Sequence, residues 1–189
     1  VVCRRQRQMC IRDRLLLQPV TGSIADIAAS IFGLFYLGFL PSHWLSLRGL
    51  DNGLEITLSA CLVIVATDIG SWAVGRRYGR RTLSPISPGK TIEGAIGGFI
   101  SAMLIGLVCG QFMGWALHGL PGLLLGALIA LFALVGDLTE SMMKRDAGVK
   151  DSGDVLPGHG GILDRIDSYL FTPAVVFYAI ALCQPLLAP

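Results

Sequence analysis

Long apolar stretches alternate with short polar ones along most of the chain. Five stretches approach the ~20 residues that a helix needs to cross a bilayer. They run from about Ile24 to Leu40, ending at Pro41; from about Leu54 to Gly75; from about Thr91 to Leu117; from just after Pro121 to about Lys144; and from about Asp164 to Leu187, where Pro173 would introduce a kink. No sustained two-residue alternation suggests a β-barrel, and no longer repeat suggests a solenoid. The pattern predicts an all-α, polytopic transmembrane bundle of about five helices.

Composition sharpens this picture. Of 189 residues, 53% are hydrophobic and only 15% are charged, against about 25% charged in a typical soluble domain. Mean hydropathy is +0.65. Disorder is excluded, and there is too little polar surface to coat a soluble globule. The net charge of +2 gives no bulk field for nucleic acid, so no nucleic-acid partner is expected. None of the five cysteines has metal-ligand spacing, and Cys61, Cys109 and Cys183 sit in apolar runs as small hydrophobes. Residues 1–14, VVCRRQRQMCIRDR, stand apart. They have no apolar core for a signal peptide, and they read as a basic flank or as a non-native or disordered segment such as translated adapter sequence. The initial Val is read as the start of a fragment.

The distribution of charge predicts orientation. Arg76, Arg77, Arg80, Arg81 and Lys90 follow the second apolar run, and Lys144, Arg145, Lys150 and Arg165 surround the fourth loop. The opposite loops hold only Arg48. By the positive-inside rule both basic loops face the cytoplasm.

Carboxylates lie where an apolar helix should have none. Asp26 and Glu55 are near segment ends and can reach the interface. Asp68, Asp137 and Glu140 lie deeper, each toward the same predicted end of its helix. Asp137, Glu140, Ser141 and Lys144 follow i, i+3, i+4 and i+7 spacing and share one helical face. Asp164 and Asp167 are three apart at the start of the last run. Carboxylates gathered at one depth either hold a hard divalent cation or form interhelical ion pairs with Lys144, Arg145 and Arg165. For Asp164 to meet Asp68 and Asp137, the 146–163 loop should fold into the bundle.

The loop RRYGRRTLSPISPGKT carries five cations and no acid, as phosphate binding requires. Ser87 or Thr91 would cap the following helix, with Glu93 in its first turn. Gly89–Thr91 matches only the tail of a nucleotide-binding P-loop, because Ser84 stands where the upstream glycine belongs. In the other basic loop, Pro157–Gly161 spells PGHGG, offering close backbone approach and a histidine for phosphate contact or proton movement.

Ser141–Asp167, SMMKRDAGVKDSGDVLPGHGGILDRID, resembles the signature of the phosphatidate cytidylyltransferases, the CDP-diacylglycerol synthases. The matching positions are Ser141, Lys144, Arg145, Lys150, Asp151, Pro157, His159, Gly160, Gly161, Asp164, Arg165 and Asp167. A second block is similar at Asp68, Gly75, Arg76, Gly79, Ser87, Pro88, Lys90, Thr91, Glu93 and Gly94, and Asp137 matches the Gly-Asp ahead of the signature. The resemblance spans roughly residues 24–188 and implies the C-terminal, catalytic portion of the family, making 15–189 one catalytic membrane region.

The resemblance implies transfer of CMP from CTP to phosphatidic acid, releasing pyrophosphate, in a bacterial inner membrane with the site facing the cytoplasm. It implies Mg²⁺, with room for a second cation, and it allows a homodimer. Asp137 and Asp164 are the expected metal ligands, with Asp68 and Asp167 next. Lys144, Arg145, Lys150, Arg76 and Lys90 would meet phosphates; Ser87 and Thr91 would contact phosphate or cytidine; His159 would orient phosphate or assist the leaving pyrophosphate. Ser141, Asp151, Gly160, Gly161 and Arg165 complete the expected substrate set. Two other readings fit the residues less well. One is a CTP-dependent lipid or polyprenol kinase, which would want a clearer base. The other is a cation transporter, which would place its acids at the bilayer midplane.

Overall fold

The structure, a computed structural model, describes residues 23–153 and 160–187. The chain divides into two units, 1–40 and 41–189. In the first, helix α1 (Ser23–Leu34) passes into a π-helical turn, Phe35–Phe39. Aromatic rings four residues apart stack along it, Phe32 on Tyr36 at 5.3 Å and Phe35 on Phe39 at 5.4 Å.

Helical structure resumes as α2 (Leu40–Arg48), so it passes through Pro41, where the apolar pattern predicts its end. In a regular helix the Pro41 ring would meet the carbonyl of Leu37. Leu37 lies in the π turn, where Leu40 N–H bonds five residues back to Phe35 O. The wider turn accommodates the proline, and the first apolar span extends over Ile24–Arg48.

The second unit continues with α3 (Gly53–Tyr78), strands β1 (Thr82–Ser84) and β2 (Ser87–Thr91), α4 (Ile92–Phe112), a 3₁₀ turn at Leu117–Gly119, α5 (Leu120–Asp146) and α6 (Leu163–Leu187). Among the described residues five helical spans are long and apolar enough to cross a membrane, and the protein is an integral membrane protein. Successive helices α3 to α6 pack on one another, and α3 also touches α5 and α6. Their shared core includes Ile64, Ala102, Ile129 and Val176. This up-and-down order brings the C-terminal ends of α3 and α5 to the same end of the bundle as the N-terminal ends of α4 and α6.

A short hairpin departs from a purely helical reading. Thr82 pairs with Thr91 and Ser84 with Ser87, antiparallel. Ser84 and Ser87 each precede a proline, which biases them to extended backbone. The Gly89–Thr91 sequence therefore lies inside β2. Thr91, not Ser87, caps the following helix: its Oγ1 accepts from Gly94 N at 3.1 Å.

Small residues on α4 govern helix approach. Gly94, Gly98, Ala102, Gly106 and Gly110 recur every fourth position, and all are buried. A Cβ on Gly98 would strike Ser71 Oγ on α3, and one on Gly106 would strike the Gly122 carbonyl on α5. Backbone therefore meets backbone on both sides of α4, the contact that small-residue spacing permits in membranes. Gly106→Ala should destabilise the bundle by about 1–3 kcal/mol through overpacking. Gly33→Ala, with nothing within 4 Å of its Cβ, should not destabilise the helix and should gain up to about 1 kcal/mol of helix propensity. Thermal unfolding in detergent measures both, and an unchanged Gly106→Ala transition would refute the close approach.

Candidate active site

At the end of the bundle where the hairpin lies, α3, both hairpin strands, α4, α5 and α6 line an open cavity of about 560 Å³. Its acidic lining comes from three helices: Asp68 on α3, Asp137 and Glu140 on α5, and Asp164 and Asp167 on α6. Its basic lining is Arg76, Lys90, Lys144 and Arg165. The helical face of Asp137, Glu140 and Lys144 is thus turned inward, as i, i+3 and i+7 spacing requires.

Oxygens of Asp137, Glu140 and Asp167 lie within 4.8 Å of one another. Like charges this close need cations, and the protein supplies two. Lys90 of β2 pairs with Asp137. Lys144 bridges Glu140 and Asp164, at 2.6 Å to each. Glu140 is 1% exposed, and its Oε1 has no hydrogen-bond partner among the described residues. A buried carboxylate oxygen is costly to leave unpartnered. Together with two neighbouring carboxylates it forms a hard-oxygen set that suits a divalent cation.

Asp164 is engaged differently. Its Oδ1 takes Lys144, while its Oδ2 accepts from Ser152 N at 2.8 Å, Ser152 Oγ at 2.8 Å and Gly161 N at 2.7 Å. The carboxylate ties the α5–α6 connection to the first turn of α6, drawing the described part of that loop onto the bundle. Binding an ion would require it to give up some of these donors. Gly160 has φ +78° beside this carboxylate, where a Cβ would come 2.8 Å from Asp164 Oδ2, so both backbone and space favour glycine.

The remaining expected site residues are spread outward. Asp68, Arg76, Thr91 and Arg165 line the cavity, whereas Ser87, Ser141, Arg145, Lys150, Asp151, Gly160 and Gly161 do not. Arg76 lies over the Trp72 ring, 5.4 Å from its centroid. Arg145 turns away from Lys144, and its Nε donates to Ile86 O at 3.5 Å, linking α5 to the hairpin. His159 and Pro157 lie outside the described residues, as does the 1–14 segment. Glu140 joins the acidic cluster although the sequence reading assigns it no ligand role. Its signal was the inward face it shares with Asp137 and Lys144, which reads equally well as an i, i+4 ion pair. Trp72, Ser71, Thr67 and Ser168 also line the cavity without having been expected there.

Comparison with known proteins matches residues 7–183 to the model of the cytidylyltransferase family. The chain belongs to that family. It is 44% identical to a phosphatidate cytidylyltransferase of Synechocystis sp., covering 92% of this chain and 68% of that protein. It is 39% identical to chloroplastic phosphatidate cytidylyltransferase 4 of Arabidopsis thaliana, covering 86% of this chain and 48% of the relative. A Bacillus subtilis phosphatidate cytidylyltransferase is 41% identical over 78% of this chain and 55% of its own length. The chain thus spans between about half and two thirds of these relatives.

Asp164→Ala should free the amides of Ser152 and Gly161. Hydrogen bonds to a charged acceptor contribute about 1.5–3 kcal/mol, so their hydrogen exchange should accelerate roughly ten- to hundredfold. Unchanged exchange at both amides would show that something other than this carboxylate holds the loop.

Proposed function

We propose that this chain is the catalytic region of a phosphatidate cytidylyltransferase, transferring CMP from CTP to the phosphate of phosphatidic acid and releasing pyrophosphate. The observation that carries the reading is the acidic set Asp137, Glu140 and Asp167, with its unpartnered buried oxygen, beside Lys90 and Lys144. Family membership and the names of the similar proteins support the choice of substrates.

The nucleophile is a phosphate monoester, anionic at neutral pH, so little is asked of a general base. The difficulty is bringing two polyanions together, which calls for cations and positioning. Asp137, Glu140 and Asp167 would hold Mg²⁺, with Asp68 and Asp164 lining the same cavity. When bound, the ion supplies Lewis-acid stabilisation to phosphoryl oxygens. Lys90 and Lys144 present positive charge from two walls of the cavity. Lys144 is held in place by two carboxylates on different helices. The N-terminal ends of α4 and α6 add favourable dipoles for phosphate. Arg76, held over the exposed Trp72 ring, would meet the lipid phosphate in this reading. The basic hairpin and the α5–α6 loop face the cytoplasm in this reading, where CTP is available, with the bundle in a bacterial inner membrane.

The purified chain should release pyrophosphate from CTP only when phosphatidate and Mg²⁺ are present. Chelation should abolish release and added Mg²⁺ should restore it. Asp137→Asn and Asp167→Asn should each lower turnover about 100-fold or more. Release of CDP instead of pyrophosphate would identify a kinase. Cation flux into vesicles without nucleotide turnover would identify a transporter.

A further inference from the structure

We propose that Glu93 is a positioning residue for Lys90, acting through the backbone of the segment that joins α3 to the hairpin. The inference rests on reading the cavity as the CTP site, and it concerns a residue that touches no reacting group in that reading.

Glu93 lies in the first turn of α4, three residues beyond Lys90. Its Oε2 accepts from two successive backbone amides, Arg80 N at 3.1 Å and Arg81 N at 3.3 Å. These amides follow directly after the end of α3, just beyond the capping bond from Gly79 N to Gly75 O. The same stretch is held from the other side, since Arg81 O accepts from Ile92 N at 3.0 Å. Thr82 then pairs with Thr91 across the hairpin. One carboxylate thus fixes the exit of α3 against the entry of α4, and β2 is the strand that runs into that entry.

Space around the crossing is tight. A Cβ on Gly79 would meet the Gly75 carbonyl and, at 2.7 Å, Thr91 Cγ2; a Cβ on Gly94 would come 2.8 Å from Ser71 O. The base of the hairpin therefore has few alternative seatings while Glu93 holds the two amides. Lys90 leaves β2 next to this base and reaches across the cavity to Asp137 on α5. If the base loosens, Lys90 loses the fixed origin from which it spans the gap. The charge of Glu93 is not needed at the cavity; the need is for an acceptor oxygen of the right reach. That separates a positioning role from electrostatic participation, because a glutamine amide oxygen can accept from the same amides.

The test is the kinetic and binding behaviour of Glu93→Ala, Glu93→Gln and Glu93→Asp in the full chain. Wild-type protein is assayed alongside for pyrophosphate release, and Mg²⁺–CTP affinity is measured separately by calorimetry. Glu93→Ala should raise the KM for CTP, and weaken CTP binding, about tenfold, with kcat within about threefold of wild type. Glu93→Gln should restore both to within about threefold. Adding Lys90→Ala to Glu93→Ala should cost little beyond Lys90→Ala alone, because the two act as one unit. If Glu93→Ala does not fold, Glu93→Asp, whose oxygen is withdrawn by one methylene, should show the same KM-selective loss. Equal loss in Glu93→Gln and Glu93→Ala, full additivity with Lys90→Ala, or a loss confined to kcat would overturn the proposal. A wild-type chain that binds CTP but releases no pyrophosphate would count against the reaction alone, leaving the Glu93 claim to be judged on the calorimetry.

Discussion

The site depends on holding several carboxylates together inside an apolar bundle. Asp137, Glu140 and Asp167 converge to within 4.8 Å, where their repulsion would be severe in a medium of low dielectric. Lys90 and Lys144 offset it from opposite sides of the sequence, one on a strand and one on the same helix as two of the acids. Lys144 does this from α5 while also holding Asp164 on α6, so one ammonium group joins two helices and anchors the loop between them. Among the described residues the arrangement leaves one oxygen of Glu140 without a partner, so the lysines balance the cluster without saturating it.

That convergence is possible only because the helices approach closely. Asp68 and Asp137 sit on α3 and α5, on either side of α4, and both reach one cavity. Large side chains on α4 would hold its neighbours further apart. The four-residue recurrence of Gly94, Gly98, Ala102, Gly106 and Gly110 removes that spacer. The hairpin closes the remaining side and delivers Lys90, while Arg145 ties it to the end of α5.

Much of this could be read from the residues because its physics is periodic. Twenty-residue apolar runs announced the spans, and i, i+3, i+7 spacing placed Asp137, Glu140 and Lys144 on one face. Two things were not periodic. The passage of the first span through Pro41 turned on a π turn whose widened geometry leaves no repeat in the sequence. The hairpin strands, three and five residues long, are too short to show alternation. The distinction between Asp164 and Asp167 was beyond reach for another reason. Both lie three apart at a helix start, and which one the loop engages depends on where the Ser152 and Gly161 amides arrive, a tertiary outcome.

The backbone contacts of α4 also bear on motion. Helices that interlock through large side chains can slide or turn past one another as rotamers exchange. Where Gly106 meets Gly122 and Gly98 meets Ser71 and Thr67 O, little side chain is available to exchange, and α3, α4 and α5 are bound into one stiff spine. The helical carriers of Asp68 and Asp137 are thereby kept in fixed register with each other.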